Sequence, residues 1–143
     1  MAQAAQTNEN VIRRFYDAYN KKDESVFDEV IAGDYVDYGH QPPGKGVQGA
    51  KADQQEFLGG FQDARFDIDE LIPSDDRVVV RWTLRATHTG PWRGLPPTQK
   101  KAEVGGISLY RMRDGKITET RNLADVFSWF IQLGLIQKPK PAA

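Results

Sequence analysis

The sequence predicts an α+β domain, a curved antiparallel sheet with about three N-terminal helices packed on its concave face. Two observations lead to this prediction. Apolar residues recur at helical spacing in the first part of the chain, whereas from Phe66 onward they alternate with polar residues. A run of helices followed by a run of strands is typical of an α+β domain whose helices cover one sheet face.

Three helices are expected before the sheet. The first should run from about residue 8 to residue 22, and Thr7 or Asn8 can cap its first amides. Asp23 should cap a second, short helix that ends at Gly33. The third helix should run from about residue 50 to residue 61. The apolar face of the first helix consists of Val11, Ile12, Phe15, Tyr16 and Tyr19.

The strands are expected over residues 35–38 and over about 66–72, 78–88, 102–112 and 117–126. Alternate residues of the strand at 78–88 are apolar and the others mostly polar, so one of its faces should be buried and the other wet. Asp114-Gly115 lies between the last two strands and is a strong hairpin signal. A short helix ending at Gly134 should follow. A curved sheet covered by helices encloses a pocket, and inward residues of the long strands should line it.

Length and composition limit the functions that need considering. The 143 residues suit one domain, placed at 8–136 between flexible segments at 1–7 and 137–143. A net charge of −1 argues against nucleic acid or an anionic membrane as a partner. Without cysteine there is no disulfide, thiolate catalyst or cysteine-bound zinc, and two histidines with scattered carboxylates make a metal site improbable. No apolar run could span a bilayer, and the first residues lack a secretion signal, so a cytoplasmic location is expected.

Asp125 is the best candidate for a catalytic residue. It ends the last predicted strand and precedes a very apolar stretch, 126–134. A carboxyl group held in apolar surroundings holds its proton more tightly and becomes a competent acid or base near neutral pH. The alternative is that Asp125 caps the helix beginning at Val126, and both roles can hold at once.

Five further residues are candidates for substrate contact. His40 lies in a turn beside prolines and is either a donor or proton shuttle at the pocket mouth or a residue that structures its own turn. His88 either contacts substrate or holds the following loop. If the last strand is regular, Arg121 shares a face with Asp125. Arg121 would then orient a substrate oxygen and lower the pKa of Asp125, or else form an internal ion pair with Glu119 or Asp125. Trp82 is either an aromatic wall or plain core, and Trp92 belongs to a loop that covers the pocket or contacts a second subunit.

Three motifs give the chain a resemblance to the SnoaL-like polyketide cyclases, or ester cyclases, of the nuclear-transport-factor-like superfamily. The resemblance spans roughly residues 9 to 136. The motifs are Tyr38-Gly39-His40 with the prolines after it, the segment from Thr87 to Thr98, and Asp114 to Glu119 followed by Asp125 and by Gln132-Leu133-Gly134.

The resemblance implies a cone-shaped α+β barrel that uses no metal or organic cofactor. It implies an intramolecular aldol cyclase in which Asp125 is the acid/base group, and a homodimer formed through the outer sheet face, sometimes a tetramer. The predicted reaction closes a ring in a hydrophobic carbonyl compound: Asp125 removes an acidic proton, the enolate attacks a second carbonyl, and Asp125 returns the proton. The alternatives are isomerase, dehydratase or epoxide hydrolase chemistry, a non-catalytic pocket for a small ligand, and an oligomeric accessory subunit.

Overall fold

The computed structural model describes residues 2–142 and confirms the predicted α+β class, with a curved six-stranded sheet. Met1 and Ala143, which belong to the segments predicted to be flexible, lie outside the described residues. The elements in order are α1 (Ala2–Asn20), a 3-10 turn (Glu24–Val26), α2 (Phe27–Val30), β1 (Ile31–Asp37), β2 (Gly44–Lys45), α3 (Gly46–Gly60), β3 (Arg65–Pro73), β4 (Arg77–Thr87), β5 (Lys101–Arg113), β6 (Lys116–Ala124) and α4 (Val126–Gln132).

The sheet has the strand order β2-β1-β6-β5-β4-β3. Four of its strand pairs are antiparallel, as predicted, but β1 runs parallel to β6. The hairpin between β5 and β6 turns at Asp114 and Gly115, whose φ angles of 52° and 71° suit a type I′ turn. The last strand, β6, therefore lies between its hairpin partner β5 and the first strand, β1.

The N-terminal elements differ from the prediction at their ends. Helix α1 begins at Ala2 rather than near Asn8, so residues 2–7 are helical. Asn8 does not cap it; its buried amide nitrogen donates to the carbonyl oxygens of Ser74 and Asp75, both at 2.9 Å, and ties the helix to the β3–β4 turn. Asp23 caps the next turn through Ser25 N, as predicted. Gly33 does not end α2, because β1 already begins at Ile31.

The hydrophobic core lies between the helices and the inner face of the sheet. Helix α1 packs on β3 and β4, α3 packs on β1, and α4 packs on β5. Residues with almost no exposed surface come from every layer: Ile12, Phe27, Phe61, Val80, Ile117 and Leu133. Each such side chain contributes about 1.5–3 kcal/mol by its removal from water, so the helices are held by burial rather than by their caps. Within residues 2–142, no helix is long and apolar enough to cross a membrane.

Candidate active site

A cavity of about 320 Å³ opens between the helices and the inner sheet face. That volume falls in the range of small-molecule sites, and most of its lining is aromatic or aliphatic with a few polar groups among them. Trp82 and Trp92 both line it, so both stand where contact with a ligand is expected. The aromatic lining comes from four helices, the sheet and the loop between β4 and β5: Phe15, Tyr16, Tyr19, Phe27, Tyr35, Phe57, Phe66, Trp82, Trp92, Tyr110, Trp129 and Phe130.

The wall formed by Trp82 is rigidly held. Its indole Nε1 donates to Ser108 Oγ on the neighbouring strand at 2.9 Å. The same ring meets Phe66 edge to face, with centroids 5.3 Å apart, and lies over Gly106, its partner in the β4–β5 register. A buried indole with its N–H satisfied keeps one orientation. Trp82 is thus both core and cavity wall, the two roles the sequence left open.

Tyrosine hydroxyls provide the innermost polar groups. The hydroxyls of Tyr16 and Tyr110 lie 2.7 Å apart, and Tyr35 donates to Thr120 Oγ1 at 2.7 Å. Burial raises the pKa values of all three hydroxyls, that of Tyr110 to about 12. All three are therefore neutral at physiological pH and act only as hydrogen-bonding groups.

The most polar part of the cavity is a cluster of Asp37, His40 and Asp53. Asp37 ends β1 and is 7% exposed. One of its oxygens accepts from Gly39 N at 2.7 Å, and the other lies 3.0 Å from Nδ1 of His40. The same Nδ1 is 3.4 Å from Oδ2 of Asp53, which projects from α3. The fold thus places two carboxylates around one imidazole nitrogen, all in the lining of the cavity.

Local electrostatics favour a charged imidazole in this cluster. The hydrogen bond to Asp37 raises the pKa of His40, and nearby Asp53 acts in the same direction, although partial burial and Arg93 oppose them. Partial burial raises the pKa of Asp53. His40 was predicted as a donor or shuttle at the pocket mouth, and its place in the lining agrees with that position. Its contact with substrate remains a prediction.

Sequence reasoning missed Asp37 and Asp53. The two lie in different elements, and only the packing of α3 against β1 joins them. One signal was available: Asp37 and His40 flank a glycine in a turn, a spacing at which an aspartate commonly bonds its own loop. One ring nitrogen of His40 and one carboxylate oxygen of each aspartate also lie within 4.8 Å of one another. The low histidine count did not suggest such a cluster.

Asp125 lies at the cavity rim and is exposed. Its Oδ1 accepts from Ser128 N at 3.0 Å, so the N-cap alternative is correct. The expectation that apolar neighbours shield this carboxyl from water is wrong in this structure, because the rim is open. The second oxygen, Oδ2, makes no hydrogen bond to another residue in the described range, and it is the atom available to a ligand.

Arg121 lies on the opposite face of the sheet from the cavity. A bulge at Thr118 shifts the register of β6, pairing Met112 with Ile117 but Arg111 with Glu119. Beyond it Thr120 and Ala124 point inward and Arg121 points outward, its guanidinium 4.1 Å from the ring centre of Tyr38 and 3.9 Å from Glu119. The predicted position of Arg121 beside Asp125 is therefore wrong. The alternative of an ion pair with Glu119 is correct.

His88 is completely buried and is absent from the cavity lining. Its ring stacks on Phe61 with centroids 5.0 Å apart, and Nδ1 lies 3.4 Å from Thr98 N. Its backbone also bonds Gln99 and Lys100 across the loop. The substrate-binding prediction for His88 is wrong, because strand β4 ends beneath the Trp92 loop rather than at the cavity. The loop-holding alternative is correct.

The chain belongs to the SnoaL-like polyketide cyclase family, whose model matches residues 9–133. Two relatives are aklanonic acid methyl ester cyclases. The one from Streptomyces peucetius is 27% identical over 132 residues, covering 90% of this chain and 91% of the relative. The one from Streptomyces sp. strain C5 is 26% identical over 129 residues, covering 87% and 80%.

Solved structures give the same result for the fold. TsrD from Streptomyces laurentii superposes with a TM-score of 0.84 at 23% identity, covering 92% of this chain and 97% of that one. IdmH from Streptomyces antibioticus superposes with a TM-score of 0.76 at 29% identity, covering 89% and 98%. These likenesses, together with the family match, make the chain a cyclase-type enzyme of the SnoaL-like, nuclear-transport-factor-like fold.

Proposed function

We propose that this protein closes a ring in a hydrophobic, polyketide-like carbonyl compound by an intramolecular aldol reaction that needs no cofactor. One observation carries the proposal: in a family of cyclases, an aromatic cavity of suitable size has a free aspartate oxygen, Asp125 Oδ2, at its rim. The aromatic lining fits a flat, conjugated molecule, and the two Streptomyces relatives, as aklanonic acid methyl ester cyclases, fit the same substrate class.

The reaction begins with proton removal. The carboxylate of Asp125 takes a proton from a carbon flanked by two carbonyl groups, and the electron pair left behind spreads over them as an enolate. That carbon attacks a second carbonyl of the same molecule; a carbon–carbon bond forms, and the π electrons of the attacked carbonyl move to its oxygen. Protonation of this alkoxide completes the ring, so substrate and product are isomers. A positioned base supplies roughly a hundred- to ten-thousand-fold acceleration.

The cavity supplies the second contribution, which is positioning. A flexible carbonyl chain must fold so that its two reacting carbons meet, and rigid walls such as Trp82 restrict the conformations it can take. Arrangement of this kind can lower a barrier by about 7–11 kcal/mol at best. The exposure of Asp125 is compatible with catalysis, since a ligand that fills the cavity covers the rim and displaces its water.

Replacement of Asp125 by Asn tests the proposal. Asparagine is also a good N-cap, so the fold of α4 is retained while the base is lost. With aklanonic acid methyl ester as the probe, ring closure followed by chromatography should fall by roughly a hundredfold or more while ligand affinity stays unchanged. Asp28→Asn is the matched control, since Asp28 is exposed, bonds only Lys51 and lies away from the cavity. Equal turnover in wild type and Asp125→Asn would contradict the base role, and binding without turnover in the wild type would favour a ligand-binding protein.

The rival enzyme chemistries differ in their support. Epoxide opening uses a water held between carboxylates and an arginine. The outward position of Arg121 removes that arrangement at Asp125, whereas Arg93 lines the cavity together with Asp37 and Asp53. Isomerisation and dehydration begin from the same enolate, so the products of the ring-closure assay separate them from cyclisation.

We also propose a cytoplasmic homodimer formed through the outer sheet face. Ile107 and Leu123 pair across β5 and β6 on that face and are 49% and 79% exposed. Adjacent exposed apolar side chains of this kind mark contact surfaces. Sedimentation of Leu123→Lys against wild type would test it, with a monomer expected for the variant.

A further inference from the structure

We propose that His40 is the acid of the reaction: its imidazolium, held between Asp37 and Asp53, donates the proton that the new alkoxide receives. The inference rests on the proposed function, because it assigns the second proton transfer of the same reaction. It divides the chemistry between two groups in one cavity lining, Asp125 as the base and His40 as the donor.

The geometry fixes which nitrogen of His40 is available. Nδ1 is 3.0 Å from Oδ2 of Asp37 and 3.4 Å from Oδ2 of Asp53, so it carries the hydrogen that faces the carboxylates. Nε2 forms no hydrogen bond to any residue between 2 and 142, and a quarter of the side chain is exposed. An imidazole whose Nδ1–H is held by a buried carboxylate presents Nε2 in a fixed direction, which is the arrangement that proton-transfer histidines need.

The surrounding charges favour the protonated ring. Asp37 faces it from β1, and Asp53 faces it from α3, where Glu56 adds further negative charge beside Asp53. Arg93, in the loop between β4 and β5, is the opposing cation. The hydrogen bond to Asp37 and the two carboxylate charges outweigh partial burial and the guanidinium, so the pKa of His40 is raised. A proton donor must be charged before the alkoxide forms, and this environment meets that requirement.

A second observation indicates that a ligand oxygen occupies this side of the cavity. Gln54, next to Asp53 on α3, is 2% exposed and lines the cavity, yet its side-chain nitrogen has no acceptor among the described residues. A buried N–H without a partner costs about 1–3 kcal/mol, so such groups are expected to bind something when the protein works. We expect both Gln54 and His40 to donate a hydrogen bond to a carbonyl or alkoxide oxygen of the ligand.

Every proton transferred in the catalytic cycle is accounted for. Asp125 ends the reaction as a carboxylic acid, and His40 ends it as a neutral imidazole with its Nε2 proton on the product hydroxyl. Asp125 releases its proton to water and His40 takes one from water, so both groups return to their starting states. No oxidant, reductant or further reactant is required.

The experiment separates the two steps of the reaction. In deuterated buffer, the acidic C–H of the probe, aklanonic acid methyl ester, exchanges whenever an enolate forms, whether or not the ring closes. His40→Gln should retain exchange while ring closure falls by roughly a hundredfold. Asp125→Asn should lose both. If the wild type shows neither exchange nor closure, the proposed function itself fails; if His40→Gln closes the ring at the wild-type rate, only the role of His40 is overturned.

The pH profile of ring closure provides a second test. If His40 had a purely structural role, its charge state would not shift this profile. The wild-type rate of ring closure should fall on the alkaline side as His40 loses its proton. Asp53→Asn removes one of the carboxylates that favour the charged ring, so the alkaline limb should move to lower pH. An unmoved limb would contradict the proposal. Loss of activity in a chelator would also contradict the proposal. It would show that a divalent cation is required, and a cation bound in this cluster would replace the proton.

Discussion

Gly106→Ala is expected to destabilise the fold by displacing the wall of the cavity. A Cβ at Gly106 would lie 2.3 and 2.4 Å from two ring carbons of Trp82, far inside van der Waals contact. The ring cannot move freely, since it is bonded to Ser108 and packed against Phe66. Overpacking of this kind costs about 1–3 kcal/mol. If the indole bond also breaks, about 1 kcal/mol more is lost, for a total of roughly 2–4 kcal/mol.

Gly105→Ala is the matched control. Gly105 is the adjacent residue on the other face of β5, and its Cβ would meet only the carbonyl oxygen of Trp82 at 3.7 Å, an ordinary contact. Its stability should stay within about 0.5 kcal/mol of the wild type. Urea denaturation followed by far-ultraviolet circular dichroism measures both variants. Equal stability of the two would refute the assignment of Trp82 as a locked wall, whereas weaker ligand binding by Gly106→Ala alone would support it.

Three further outcomes are expected. Asp125→Ala should lower the free energy of unfolding by about 1 kcal/mol and Asp125→Asn by much less, because only the alanine loses the cap on Ser128 N; equal losses in urea denaturation would contradict the cap. His40 has a folded pKa above its ordinary value near 6.5, so its contribution to stability should be complete below about pH 6.5 and disappear as pH rises through the folded pKa. His40→Gln should abolish that part of the pH dependence of unfolding, and an unchanged curve would show that the Asp37 contact contributes nothing. Arg121→Ala should leave ring closure unchanged and alter stability by at most about 1 kcal/mol, since the guanidinium lies outside the cavity over Tyr38; a large loss of turnover would contradict its outward position.

Sequence patterns predicted the strands well because their faces differ strongly in polarity. Strand β4 alternates buried and exposed residues along almost its whole length, and the Asp-Gly turn joins β5 and β6 as an antiparallel pair. Local pattern could not predict the parallel pairing of β1 with β6, since that pairing depends on how the helices return the chain to the sheet. The end of α2 was also misplaced, because a glycine can stop a helix or lie in a strand with equal ease.

The error at Arg121 has two causes, a bulge in β6 and the end of the strand before Asp125. A side-chain period of two holds only while the strand is regular, and one extra residue transfers every later side chain to the other face. The bulge at Thr118 is such a residue, and it places Arg121 on the outer face over Tyr38. Strand β6 then ends at Ala124, so the period of two no longer applies to Asp125, which lies at the cavity rim. Nothing in the composition of β6 marks the bulge.

The candidate site was predicted in part. Asp125 and His40 were found from their positions near strand and turn ends, and both line the cavity. The carboxylates that surround His40 were missed, because Asp53 reaches it only through packing of a helix on a strand. The shielding of Asp125 was inferred from apolar neighbours in sequence, yet Val126 and Phe127 are themselves exposed, as Asp125 is.

Deuterium exchange at the acidic carbon of aklanonic acid methyl ester tests the central claim most directly, because it reports proton removal without requiring the ring to close. The wild-type protein, purified and treated with chelator, should catalyse exchange in deuterated buffer, and Asp125→Asn should reduce it to the buffer rate. Exchange at the wild-type rate in Asp125→Asn, or binding of the ester with no exchange in the wild type, would contradict the account.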